Sequence, residues 1–284
     1  MPTVLLATFQ LLPGGEPGAD LLAALAARGI DARWVSWDDP DVDWSTADLV
    51  AVRSTWDYHR RHDEFLAWAR RVEQQTRLLN GADLFAWNAD KAYLCQLGEH
   101  VPVVPTEPID DGTLVEGITD ALTRWGAAVI KPRTGAGGVG VVIVEDPADE
   151  RLEGLTPAPW VLQPLVDTVR TEGEKSVYVF AGAAVSQVDK LPAEGEIRVH
   201  ELYGGRSYRV AVEPALAVLA QSAVAAAGTL TGVVPAYARV DAMRWEGRWV
   251  VSELELIEPG LYLDVEPGNA ERFADLLALA LAEC

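Results

Sequence analysis

The N-terminal part of the chain alternates short apolar runs with stretches of helical spacing. Val4–Phe9, Ala32–Trp37, Leu49–Val52 and Leu78–Asn80 have the length and character of buried strands. Between them, Asp20–Arg28 places Leu21, Leu22, Leu25 and Ala26 on one helical face and stops at Gly29. His62–Gln75 does the same with Phe65, Leu66, Trp68, Ala69 and Val72. Strand–helix alternation of this kind predicts a small parallel α/β domain over residues 1–88. Met1-Pro2-Thr3 carries no basic residue before Val4, so the start reads as a first strand and not as a signal peptide.

Past residue 88 the period changes. A short helix over Ala89–Leu97 and a helix over Leu114–Trp125 flank an extended Val101–Thr106. Strands are then expected at Ala127–Lys131, Val141–Glu145, Trp160–Leu165, Ser176–Phe180, Ala183–Leu191, Arg198–Leu202 and Ser207–Val212. An Ala-rich helix starts at Pro214, a strand pair Tyr237–Trp245 and Arg248–Ile257 turns at Glu246-Gly247, and a last helix covers Asn269–Glu283. No run is expected to reach the roughly 18 apolar residues that span a bilayer.

Charge narrows the partners. With 43 acidic against 23 basic residues the net charge is −20, which repels nucleic acid and anionic membrane surfaces. An anionic substrate then needs a local group of cations working against the overall field. Cys95 and Cys284 make neither a disulfide framework nor a zinc site, and a reducing cytoplasm is the expected compartment. His59 and His62 lack further ligands nearby and read as a polar helix start.

Two clusters carry chemistry. Gly135-Ala136-Gly137-Gly138-Val139-Gly140 fits G-x-G-x-x-G, yet a dinucleotide fingerprint must open a helix. Val141-Val142-Ile143-Val144 follows instead, a β-branched run suited to a strand. The glycines therefore join two strands, and Lys131 just upstream turns a bare hairpin tip into a candidate phosphate cradle. The second cluster is Asp241 on one strand with Glu253 and Glu255 on the next. Glu253 and Glu255 share a face, being two residues apart. Asp241 joins them if it pairs with Glu253, which a plain two-residue turn forbids and a three-residue Glu246-Gly247-Arg248 loop allows. Three carboxylates in an otherwise apolar hairpin need a partner, and oxygen ligands alone suit Mg²⁺ or Mn²⁺. An exposed acidic hairpin is the plainer alternative.

In chain order the pieces run Lys91, Lys131, the glycine loop, Gln163-Pro164-Leu165, Arg198, Asp241, Glu253 and Glu255. That order resembles the ATP-grasp superfamily over residues 88–265, and within it the glutathione-synthetase-like carboxylate–amine ligases. Arg53-Ser54-Thr55-Trp56-Asp57-Tyr58 and Glu253-Leu254-Glu255-Leu256-Ile257-Glu258-Pro259 are similar to the small ligases of specialised metabolism, the group holding the O-ureido-serine cyclo-ligase of cycloserine biosynthesis. The resemblance implies an α/β N-terminal substrate domain (1–88), a lid subdomain (89–165) and a C-terminal α+β subdomain with the metal site (166–284). It implies that Lys91 and Lys131 reach the ATP phosphates, that Gly135, Gly137, Gly138 and Gly140 form the lid, and that Gln163, Pro164 and Leu165 read the adenine. Glu174 would hold the ribose, Arg198 the reacting acyl group, and Asp241, Glu253 and Glu255 the magnesium. The family usually has Asn where Glu255 stands, and Pro259 falls one residue later than in many relatives. Substrate contacts are expected at Arg53, Ser54, Thr55, Trp56 and Tyr58, just past the end of a strand, with Arg53 as a carboxylate clamp. Packing against the ATP-binding part is the alternative for Trp56 and Tyr58.

The implied activity is ATP-dependent joining of a small-molecule carboxylate to an amine through an acyl phosphate, between molecules or as a ring closure. A kinase of the same fold and a nucleotide-binding module without catalysis remain open readings. A homodimer is compatible with all three.

Overall fold

A computed structural model describes residues 1–283. The N-terminal unit comprises β1 (Thr3–Thr8), α1 (Leu21–Ala26), β2 (Asp31–Ser36), β3 (Leu49–Ser54), α2 (His62–Glu73) and β4 (Arg77–Leu78). Its four strands form a parallel sheet in the order β2-β1-β3-β4. The next elements are α3 (Ala82–Asn88), α4 (Tyr93–Leu97), β5 (Glu107–Ile109), α5 (Leu114–Trp125), β6 (Ala128–Pro132), β7 (Val142–Val144) and β8 (Trp160–Pro164). These build a small antiparallel sheet, β5-β8-β6-β7, backed by α5. Last come α6 (Val169–Glu172), β9 (Glu174–Phe180), β10 (Ala183–Leu191), β11 (Arg206–Val210), α7 (Pro214–Thr231), β12 (Tyr237–Trp245), β13 (Arg248–Glu255) and α8 (Gly268–Ala282). Their strands form a large antiparallel sheet, β11-β10-β9-β12-β13. The architecture is the expected one: parallel α/β first, α+β after it.

The large sheet has two unlike faces. Val177, Val179, Ala238, Val240 and Leu254 point one way and bury against α7, α3 and α4. Glu174, Ser176, Tyr178, Phe180, Val188 and Lys190 point the other way, together with Tyr237, Arg239 and Asp241. On that second face the apolar end, Tyr178, Phe180 and Tyr237, packs with α1, α8 and the N-terminal sheet. The polar end opens to a cavity.

Four expectations need correction. The helix expected over Ala89–Leu97 begins only at Tyr93, as α4, and a separate helix, α3, precedes the range and ends at Asn88. Asn88 spends its amide on the backbone of Leu254 and Leu256, Asp90 accepts from the Ala92 amide, and Lys91 lies in the break. Arg198–Leu202 is not a strand. Glu196 accepts from the Ile197 and Arg198 amides and His200 from that of Leu202, so side chains take the donors a ladder would use. Glu107–Ile109 pairs as a strand that the sequence pattern had not suggested. Finally, α7 has 18 uncharged residues, long and apolar enough to cross a membrane by length and composition, although Leu216, Leu219, Ala220 and Ala223 are core.

One ion pair ties the N-terminal sheet to the loop after β13. Arg53 is fully buried; it donates to Glu16 at 3.1 Å and to the Pro259 carbonyl at 2.6 Å, and lies 4.6 Å over the Phe273 ring. The expected substrate clamp is therefore a brace, because its guanidinium faces protein on every side. Arg53→Ala should cost about 3–5 kcal/mol of stability, as for a broken buried pair, read from urea unfolding. A loss below about 1 kcal/mol would show that the brace is not needed.

Candidate active site

A cavity of about 990 Å³ lies between the small sheet, the polar end of the large sheet and the loops of the N-terminal sheet. Its position follows from β12 and β13. The turn is the short one: Trp245 pairs with Arg248, and Glu246 and Gly247 take positive φ of 49° and 79°. The expected three-residue loop is thus wrong, and a regular ladder would have set Asp241 opposite Ser252. The register shifts between Asp241 and Ala242 instead, leaving Ser252 as the extra residue of a β-bulge. Asp241 now faces Glu253 and Arg239 faces Glu255. Oxygens of Asp241, Glu253 and Glu255 come within 4.8 Å of one another. The donor set, three hard oxygens with no sulfur or imidazole, fits Mg²⁺ or Mn²⁺.

Cationic side chains balance these carboxylates. Arg239 bonds Asp241 at 2.9 and 3.0 Å and also pairs with Glu255. Lys190 bridges Asp241 at 3.2 Å and Glu174 at 2.5 Å, and Lys91 pairs with Glu253 at 2.9 Å. Ser176 donates to Asp241 at 2.6 Å. Burial alone would raise the Asp241 carboxyl, but Arg239 and Lys190 hold it well below the usual range. Glu253 is lowered likewise, Lys91 and Lys131 overcoming its burial. Glu255 goes the other way: burial, then Asp241 and Glu253, push it up to about 7 against the pull of Arg239.

The lysines and the glycine loop face this cluster. The loop joins β6 to β7 as an antiparallel connection with no helix at Gly137, as the β-branched run predicts. Lys91 reaches into it, donating to the Gly135 carbonyl at 2.8 Å. A Cβ at Gly138, whose φ is +71°, would sit 3.4 Å from Arg198 and 3.5 Å from Tyr203. Lys131 lines the cavity and makes no ion pair among the described residues; burial lowers its pKa. Arg198 pairs with Glu196 at 2.5 Å and stacks 3.6 Å above the Tyr203 ring.

Other expected residues divide. Gly135, Gly137, Gly138, Pro164 and Leu165 line the cavity, and Gly140 does not. Gln163 lines it but donates its amide to Thr106 at 2.9 Å. Glu174 lines it with one oxygen on Lys190 and the other accepting from Ser252 at 3.0 Å. Trp56 and Tyr58 form part of the N-terminal wall, whereas Arg53, Ser54 and Thr55 are buried beneath it. Sequence reasoning passed over Lys190, Arg239 and Glu258. A signal existed for Lys190: three of the chain's four lysines, Lys91, Lys131 and Lys190, line this one cavity.

The raised Glu255 carboxyl sets a pH dependence. A carboxyl that titrates higher folded than unfolded binds a proton in the native state between about pH 4.5 and 7. Its contribution to stability is therefore present at low pH and lost as pH rises through about 7. Without divalent cation, wild type should lose stability relative to Glu255→Gln between pH 5 and 8. The difference should be on the order of 1 kcal/mol per pKa unit, read from thermal unfolding at fixed ionic strength. A pH-independent difference would show that Glu255 is not displaced.

Comparison with known proteins agrees with this geometry. Residues 4–80 match the family model described as D-cycloserine synthetase DcsG, N-terminal domain. The chain is 34% identical over 274 residues to the cycloserine biosynthesis protein DcsG of Streptomyces lavendulae, covering 91% of each. It superposes on the crystal structure of D-cycloserine synthetase DcsG with a TM-score of 0.86 and 30% identity, over 98% of this chain and 99% of that one. It superposes on the ATP-grasp ligase PsnB at 0.67 and 17% identity, over 99% of each, which speaks to fold alone. The chain belongs to the family of the cycloserine biosynthesis protein DcsG and shares the fold of the ATP-grasp ligases.

Proposed function

We propose that the protein activates an amino-acid-like carboxylate as its acyl phosphate for attack by a nitrogen nucleophile, in the assembly of a specialised metabolite related to cycloserine. The observation that carries this is the convergence of Asp241, Glu253 and Glu255 opposite Lys91, Lys131 and the glycine loop. The 34% identity to a cycloserine biosynthesis protein supports the metabolite class, and with it closure of a ring by intramolecular attack. Residues 1–88 supply the substrate side, and residues 89–165 and 166–284 hold the nucleotide between them.

The carboxylate oxygen attacks the γ-phosphorus and ADP leaves. The nitrogen then attacks the acyl carbon, phosphate departs with that oxygen, and the nitrogen loses a proton. ATP supplies the phosphoryl group and Mg²⁺ neutralises its charge. Asp241, Glu253 and Glu255 are the residues suited to hold the cation. Lys131 is free to meet phosphate oxygens, because among the described residues no carboxylate pairs with it. Arg198, held by Glu196 and Tyr203 at the cavity wall, is suited to the acyl oxyanion. Arg239 keeps two ligand carboxylates apart and oriented. Gln163, Pro164, Leu165 and Glu174 are the nucleoside side of this assignment.

The test is ADP release with β-aminooxy-D-alanine and O-ureido-D-serine, followed by mass detection of the cyclised product, cycloserine from the first and its N-carbamoyl derivative from the second. A stable phosphate ester in place of a cyclic amide would replace the ligase reading with a kinase. Lys131→Ala should raise the KM for ATP by about tenfold or more and lower turnover with it. Arg198→Ala should leave ATP binding nearly intact while kcat falls by about 10²–10³. Equal loss of ATP affinity in both variants would reverse these assignments.

A further inference from the structure

Glu258 is the one buried carboxylate on the cavity wall left without a cation. It is 8% exposed, lines the cavity, and among the described residues its carboxylate bonds only its own backbone N–H. Every comparable group is matched. Glu16 takes Arg53 and the amides of Leu261 and Tyr262; Glu174 takes Lys190 and Ser252. Asp241 and Glu255 share Arg239, and Glu253 takes Lys91. Burial and the neighbouring Glu255 push this carboxyl well above the usual carboxylate range, and neither Lys91 nor Arg239 pairs with it, so a cation arriving in the cavity would stabilise its charged form. It is not a fourth ligand of the divalent cation, because the converging oxygens come from Asp241, Glu253 and Glu255 without it.

Its surroundings select the chemistry of the occupant. Trp56 and Tyr58 line the same wall, and the Trp56 indole N–H reaches the Glu258 carbonyl at 3.4 Å. A carboxyl on a wall that also carries aromatic side chains suits a compact cation, above all an alkylammonium. Glu258 lies only three residues beyond Glu255, so a cation on it sits a short distance from where the carboxylate would be activated.

Resting on the ligase reading above, we propose that Glu258 holds the protonated amine of the amino-acid substrate. The consequence is chemical. A nitrogen kept protonated on a buried carboxylate has no lone pair and cannot attack the acyl phosphate. The bond-forming nitrogen is a second one, neutral at pH 7, of the aminooxy or ureido kind. It attacks the acyl carbon, phosphate leaves, and the attacking nitrogen gives up its own proton while the ammonium stays unchanged.

The experiment compares matched substrates in the ADP-release assay: β-aminooxy-D-alanine against 3-aminooxypropionate, and O-ureido-D-serine against 3-(ureidooxy)propionate. For wild type, removing the amine should raise KM about 10- to 100-fold with a smaller change in kcat. Glu258→Gln should raise the KM of the amine-bearing member by a similar factor and leave the KM of its partner and of ATP unchanged. Glu258→Asp should restore part of the loss. Equal KM values within each pair for wild type, or a Glu258→Gln effect that strikes both members alike, would overturn the proposal. Should Glu258→Gln not fold, Glu258→Asp is read in its place: a rise in KM confined to the amine-bearing member of each pair supports the proposal, and a rise shared by both members overturns it. ADP release from no member of either pair would instead remove the ligase reading beneath it, and this inference with it.

Discussion

Buried negative charge on one face of the large sheet is the constraint that the rest of the site obeys. Glu174, Asp241, Glu253, Glu255 and Glu258 stand within a single cavity wall, where charges of like sign repel strongly and water is scarce. The bulge at Ser252 brings three of them together, and Ser252 then turns its hydroxyl to the fourth, Glu174. Lys190 lies directly across the ladder from Glu174, Ser176 across from Asp241, and Arg239 across from Glu255. Glu174, Asp241 and Glu255 are thus each answered by a residue at the facing register position, so a slip of one residue would unpair several charges at once. Register is fixed here by electrostatics as firmly as by the apolar residues on the opposite face.

The apolar half of the same sheet face explains why the N-terminal unit cannot drift from the site. Tyr178, Phe180 and Tyr237 pack with α1, α8 and Phe273. Arg53 and Glu16 close the seam by gripping the loop from Pro259 to Tyr262. That loop follows Glu258 directly. The brace therefore sets both the position of the N-terminal wall and the chain that carries the unpaired carboxylate. The C-terminal helix, although last in sequence, belongs by packing to the first sheet as much as to the last.

Where the sequence could be read, a local pattern carried the information. The parallel α/β start was plain because apolar runs and helical spacing alternate there. The glycine loop declared itself through the β-branched residues that follow it. The carboxylate triad was visible as three residue types in an apolar hairpin, but its register was not. Turn length and a bulge can offset each other, and nothing in the residue pattern distinguishes a three-residue loop from a short turn with Ser252 extruded. Arg53 misled for a different reason. An arginine at a strand end looks the same whether it meets a ligand or a glutamate 37 residues away in the chain. The segment around Arg198 failed because side chains of Glu196 and His200 take its amides, a competition that strand propensity ignores.

The overall charge of −20 makes the distribution of cations informative. Many arginines sit at the surface, where Arg28, Arg61 and Arg124 pair with acids on α8, α2 and β5. Lysine is nearly confined to the cavity, where Lys91, Lys131 and Lys190 gather with Arg198 and Arg239. A compact ammonium suits that position, since it can approach a single oxygen closely and shift between carboxylate and phosphate partners more readily than a planar fork. Three of the five cations there are matched by the carboxylates of the sheet, and Arg198 by Glu196. Lys131 makes no ion pair among the described residues. The wall facing it bears the mirror defect, Glu258, an acid with no cation. Lys131 and Glu258 thus stand on the cavity wall as groups of opposite sign without an ion-pair partner among the described residues. On the proposed reading an anion is taken at Lys131 and an ammonium at Glu258, with the carboxylate to be activated between them.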